Sequence, residues 1–195
     1  MPILMRSRLK TRQAVVLVLA CLAGYLAAAR AADIPNLPPP VIAAAPQLHL
    51  LGHGPLNYPF LFFHVHIYDA ALYVTGMDWN PDAPYALAVT YARSFSGKSI
   101  ADEGVKQLRR LGYTDEDDLR RWNQDMVKAF PEVHKGDTLV GLYLPAGETR
   151  FYLNGKLTGD IKDPSFGPAF FSMWLSPKTS DPRLRKVLLN LQGQA

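Results

Sequence analysis

The sequence predicts an α+β domain in which an antiparallel sheet carries helices packed on one side. Three observations point there. Runs rich in aromatic and β-branched residues open the chain's folded part, and two segments of helical spacing interrupt them. Three short strand-like pieces and two Asp-Pro steps then close it, an order that segregates strands from helices.

Residues 32–47 hold Pro35, Pro38, Pro39 and Pro40, which favour an extended, poorly packed lead-in to one domain over 48–195. Phe60 to Val74 reads as one long strand or two joined by a bend, and Tyr85 to Tyr91 as another, set off by Pro84 and Gly97. Ile100, Val105, Leu108 and Leu111 recur at helical spacing across Ser99 to Leu111, with Gly112 placed to end the helix. Thr114 is positioned to cap the next helix, which runs through Leu119, Trp122, Met126 and Val127 to Pro131. Asp115 to Asp118 fall in its first turn, where the helix dipole favours carboxylates. Strands are expected over Asp137 to Leu144, Glu148 to Leu153 and Lys156 to Ile161, the last two joined by an Asn154-Gly155 type I′ turn. Asp163-Pro164 and Asp181-Pro182 each place a cap before a proline, opening helices over Phe166 to Leu175 and Arg183 to Leu191.

The first 31 residues read as a signal peptide. Arg6, Arg8, Lys10 and Arg12 precede an apolar run from Ala14 to Ala29, and Ala29-Arg30-Ala31 offers small residues for cleavage after Ala31. That run is short for a membrane span of about 20 residues, so a periplasmic or secreted protein without stable membrane insertion is expected. Cys21 follows Val18-Leu-Ala20, but the apolar run continues past it, which argues against a lipoprotein site. Cleavage removes five of the 21 basic residues and none of the 17 acidic ones, leaving a net charge of −1. No basic footprint remains for nucleic acid. Cys21 is the only cysteine, so about 164 residues must hold together by their core alone.

Gly52-His-Gly54, followed by Tyr68-Asp-Ala-Ala-Leu-Tyr-Val74, resembles the opening of the chalcone isomerase-like family. Tyr91-Ala-Arg93, Trp122-Asn, Phe130-Pro-Glu-Val-His-Lys-Gly136-Asp137, Phe151-Tyr-Leu-Asn154-Gly155-Lys156, Phe170-Phe-Ser-Met-Trp174-Leu175 and Pro182-Arg-Leu-Arg185 resemble its bacterial exported branch. The resemblance spans Leu50 to Leu189 and implies an open-faced sandwich of sheet and helices. The family's enzymes use an arginine after the glycine turn and a threonine on the following strand; here those positions are Leu56 and Tyr68. A pocket-lining Tyr-x-x-Lys-x-x-x-Asn segment becomes Phe95, Lys98 and Asp102. Leucine cannot supply an oriented charge contact worth on the order of 2.7–4 kcal/mol in a transition state. Chalcone isomerase activity is therefore not expected, and the catalytic residues of any other activity stay unassigned.

Other members of the superfamily hold a fatty-acid carboxylate with an arginine and a tyrosine. By that resemblance the expected ligand site comprises Tyr68, Tyr91, Arg93, Phe95, Lys98 and Asp102, taking a small amphipathic or aromatic acid. Strand alternation places Arg93 on Tyr91's face, and Tyr68 on a face with Phe62, His64 and His66. Arg93 could instead pair with Asp102 or Glu103. His64-x-His66 has a spacing that metal sites use, yet Asp69 points to the opposite face of a regular strand, so no metal and no cofactor is expected. Two further readings stand beside the binder. One is an intramolecular lyase or isomerase with a rearranged site, and the other an envelope protein–protein module.

Overall fold

The structure, a computed structural model, describes residues 34–60 and 63–191. The signal peptide expected over residues 1–31, and Phe62, lie outside them. Eleven elements follow in order: α1 (Pro39–Ala44), β1 (His49–Phe60), β2 (Phe63–Val74), β3 (Tyr85–Tyr91), α2 (Gly97–Leu111), α3 (Glu116–Ala129), β4 (Thr138–Leu144), β5 (Glu148–Leu153), β6 (Lys156–Ile161), α4 (Phe166–Leu175) and α5 (Pro182–Leu188). The strands form one antiparallel sheet in sequence order, from β1 at one edge to β6 at the other. Among the described residues no helix is long and apolar enough to cross a membrane.

Alternation along the strands builds two cores. Leu72, Val74, Tyr85, Leu87, Val89 and Tyr143 point to the face covered by α2–α5, where Leu108, Trp122, Met126, Phe166 and Phe171 meet them. The opposite face carries smaller side chains, Ala71, Ala86 and Ala88, beside Val140, Leu142 and Tyr152. This second face is not open. The stretch expected to be a poorly packed lead-in forms α1 instead, and Val41 is wholly buried against the alanines. The Tyr73 hydroxyl donates to the Pro35 carbonyl at 2.8 Å and pins the start of this strap. The prolines direct the chain into that position. Pro38 precedes the helix in extended conformation and Pro39 sits in its first turn, where a missing N–H costs nothing.

The Gly52-x-Gly54 segment lies inside β1, not in a turn. A Cβ on Gly52 would stand 2.1 Å from the Val187 carbonyl oxygen, and one on Gly54 would touch the Val187 side chain at 3.0 Å. The two glycines exist so that α5 can lie directly on the edge strand. A second irregularity changes the faces of β2. Leu56 pairs with Tyr68 but Asn57 pairs with His66, so Ile67 is an extra residue, a β-bulge. Tyr68 therefore does not share a face with His66, and Asp69 does: its Oδ2 lies 3.2 Å from His66 Nε2. The edge strand β1 also carries Pro55 and Pro59.

Capping follows sequence chemistry with two shifts. Asp115, not Thr114, caps α3, accepting from the N–H groups of Asp117 and Asp118. Asp181 caps α5 ahead of Pro182 as expected, whereas Asp163 accepts from Ser165 N and Oγ one turn before α4 begins. Asn154 (φ 48°) and Gly155 (φ 85°) both take the left-handed backbone of a type I′ turn.

Gly52→Ala is expected to cost about 1–3 kcal/mol by forcing α5 off the sheet, read as a lower urea midpoint. Val41→Asp is expected to release the strap, forfeiting about 1.5–3 kcal/mol of burial, since detaching is easier than burying a carboxylate. Hydrogen exchange should then lose protection at Val41 and Ala45. Unchanged protection there would show that the strap does not depend on Val41.

Candidate functional site

Three of the six residues singled out from the sequence come together where β2 and β3 end. Tyr68 and Tyr91 are the last pair between those strands, and their rings meet edge-on with centroids 6.2 Å apart. Phe95 follows at 5.8 Å from Tyr91. From the helix layer Trp174 donates its Nε1–H to the Tyr68 hydroxyl at 2.8 Å, and Phe170 stands 5.4 Å from the Trp174 ring. Trp174 was not foreseen as a hydrogen-bonding partner. A tryptophan at the edge of an otherwise apolar helix is the available signal, because a buried indole N–H normally finds an acceptor.

This cluster is positioned by two loops zipped together. Tyr91 N donates to the Asp137 carbonyl (2.9 Å) and Gly136 N to the Tyr91 carbonyl (2.8 Å), while Phe95 and Val133 exchange both backbone bonds at 2.9 Å. Asp137 locks the second loop by accepting from Asn154 Nδ2 (2.8 Å) and from His134 N (2.7 Å). Those bonds hold its carboxyl below the usual carboxylate range.

The other three residues sit elsewhere. β3 ends at Tyr91, so strand alternation does not extend to Arg93, which lies exposed in the following bend. Among the described residues Arg93 makes no ion pair, because both carboxylates considered for it are engaged. Asp102 accepts from Lys98 (2.6 Å) and Asn123 (3.1 Å), and Glu103 takes Gln107, Lys106 and Arg110. Lys98 and Asp102 thus face solvent on α2, and Asn123 ties Asp102 to α3. Lys98 and then Asn123 lower the Asp102 pKa.

The cluster is electrostatically quiet. Burial raises the Tyr68 phenol well above its ordinary pKa; the Trp174 bond pulls the other way, and the Asp181 charge adds to the rise. Burial, then the neighbouring Tyr68, raise Tyr91 likewise. Both remain neutral hydroxyls at any physiological pH. With Trp174 occupying its oxygen, Tyr68 keeps its own proton to donate, and no described side chain accepts it. Across the strand pair stands Leu56, aliphatic where an enzyme of the resembling family carries its guanidinium.

A groove of about 520 Å³ lies apart from this cluster, between α3 and β6. Its cations Arg121, Lys128 and Lys162 pair with Asp163, Asp125 and Asp160, so it offers no unspent charge. Asp163 is instead a joint: besides Ser165 it accepts from Trp122 Nε1 and Arg121, both at 2.9 Å. Burial alone would raise its pKa, but the Ser165, Trp122 and Arg121 hydrogen bonds outweigh it and hold the carboxyl far below its usual range. Among the described residues no three His, Cys, Asp or Glu side chains converge as a metal cage.

Comparison with known proteins agrees with this geometry. The model of the family described as chalcone isomerase-like matches residues 34–190. An uncharacterized protein of Haemophilus influenzae is 30% identical over 148 residues, 75% of this chain and 71% of its own. Among solved structures, a fatty-acid binding protein of Arabidopsis thaliana superposes with a TM-score of 0.60 at 14% identity, covering 74% of this chain and 88% of that one. The match begins at residue 34 and runs through α5, so it spans the strap, the sheet and the helix layer. The chain belongs to the chalcone isomerase-like family.

Proposed function

We propose that this protein is an exported, non-catalytic binder of a small amphipathic acid, fatty-acid-like, whose head group is received beside Tyr68. The observation that carries this reading is the Tyr68–Trp174 pair. It presents a neutral phenol whose oxygen is already satisfied and whose proton is free, in an aromatic setting formed by Tyr91, Phe95 and Phe170. Such a group donates to a carboxylate or carbonyl and does not act as a base. Arg93, exposed just beyond Tyr91 and in no ion pair among the described residues, supplies the cation for the acid. The fatty-acid binding protein of like fold supports an acid as the ligand. Leu56 opposite Tyr68 argues against ring-closing catalysis, since no guanidinium stands where a nucleophile's charge would develop. Export rests on the basic, apolar and small-residue pattern of residues 1–31.

Native mass spectrometry of the purified protein, followed by organic extraction, is expected to reveal one bound acid per chain. Arg93→Ala should weaken binding of that acid roughly 10–100-fold, the range of a charge-assisted contact, and Tyr68→Phe about 3–10-fold. An Arg93→Ala protein that binds as tightly as the parent removes Arg93 from the site. A parent that neither carries nor takes up a long-chain acid sinks the binder reading.

Ultraviolet titration gives an independent check on the phenols. Their raised pKa values mean the folded state prefers the neutral form, so this contribution to stability is complete below about pH 10 and lost as pH rises beyond it. Tyr68, Tyr85 and Tyr91 should ionise late, together with alkaline unfolding. Ionisation of every tyrosine near pH 10 in the folded protein would contradict a buried Tyr68.

A further inference from the structure

We propose a divalent transition-metal chelate on the outer face of β2, formed by His64 and His66 and oriented by Asp69. The bulge at Ile67 makes the arrangement. In a regular strand Asp69 would face away from both histidines; the extra residue returns it to their side, and its Oδ2 meets His66 Nε2 at 3.2 Å. His64 and His66 remain two apart in the regular part of the strand, opposite Pro59 and Asn57, so their imidazoles project from one face about 6.6 Å apart at the backbone.

Both histidines are exposed, which leaves the His64 ring and the Nδ1 side of His66 open to a solvent-borne ion. A carboxylate beside one nitrogen of a ligating histidine orients the ring and adds a negative charge that favours a cation at the other nitrogen. Asp69 stands in this way beside His66 Nε2, which leaves Nδ1 on the far side of the ring to the ion. The donor set is imidazole, which suits Cu²⁺, Ni²⁺ or Zn²⁺ and not Ca²⁺ or Mg²⁺. With two protein ligands and no described third, water completes the coordination, and the site is an exchangeable surface chelate, not a structural centre. It lies on the face opposite the Tyr68 hydroxyl and does not depend on the acid-binding reading.

Calorimetric titration of the untagged protein with NiCl₂ and CuCl₂, in a non-coordinating buffer, tests the proposal. One equivalent is expected to bind. His64→Ala and His66→Ala should each abolish that equivalent, and Asp69→Asn should weaken it by about 10–100-fold, with thermal melts confirming that each variant folds. Absence of uptake by the parent overturns the site. So does uptake that survives the double His64→Ala/His66→Ala change, since the ion would then sit on His49, His53 or His134. Unchanged affinity in Asp69→Asn removes the orienting role.

Discussion

The pleat of β2 and β3 sends most of their bulky residues to one side and Ala71, Ala86 and Ala88 to the other, and the helix layer and the strap follow from that division. The bulky side is deep enough to need a helix layer, so α2–α5 close over it and the aromatic rings of α4 interlock with those of the strands. Tyr85, Tyr143 and Phe171 meet within 4.8–6.4 Å of one another, as rings do when they prefer edge and offset contacts. The alanine side is shallow, and a single extended segment with one short helix fills it. A larger residue at Ala71, Ala86 or Ala88 would leave Val41 no place to sit. With no cysteine after residue 21, no disulfide within the chain supports these two packed faces.

Carboxylates serve as the joints between layers. Asp102 links α2 to α3 through Asn123, Asp163 links α3 to the turn before α4 through Trp122 and Arg121, and Asp137 links the loop after α3 to the β5–β6 turn through Asn154. The Trp122-Asn123 and Asn154-Gly155 pairs, which carry part of the family resemblance, are therefore structural fasteners. The set at the end of β2 and β3 contains none of these carboxylates; it is built of neutral hydroxyls and rings.

Most of the element order was legible because it depends on local pattern. Helical spacing marked α2 and α3, Asn154-Gly155 marked its hairpin, and Asp181-Pro182 marked the start of α5. The failures share a cause: each feature is set by a contact distant in sequence. Gly52 and Gly54 read as a turn because their reason for being small is α5, well over a hundred residues away. The strap read as loose because four prolines dominate its composition, while its anchors, Val41, Ala45 and the Tyr73 bond to Pro35, are contacts with a distant strand. Alternation carried Arg93 onto Tyr91's face because nothing in the text announces that β3 stops at Tyr91, where the loop after α3 takes over the backbone bonds. The bulge at Ile67 left no trace in the sequence, yet it decides which residues share a face with Tyr68 and which with Asp69.

The prolines of β1 have a meaning beyond the chain's own fold. An edge strand exposes a row of N–H and C=O groups on which a stranger's strand can grow, and proline removes a donor wherever it stands. Pro55 and Pro59 interrupt that row on the long outer strand, and at the opposite edge β6 is short and carries Lys156 and Asp160. The sheet therefore ends at both borders by its own composition. It offers neighbouring molecules a poor template for amyloid-like stacking, a safeguard suited to a protein with no covalent cross-link to fall back on.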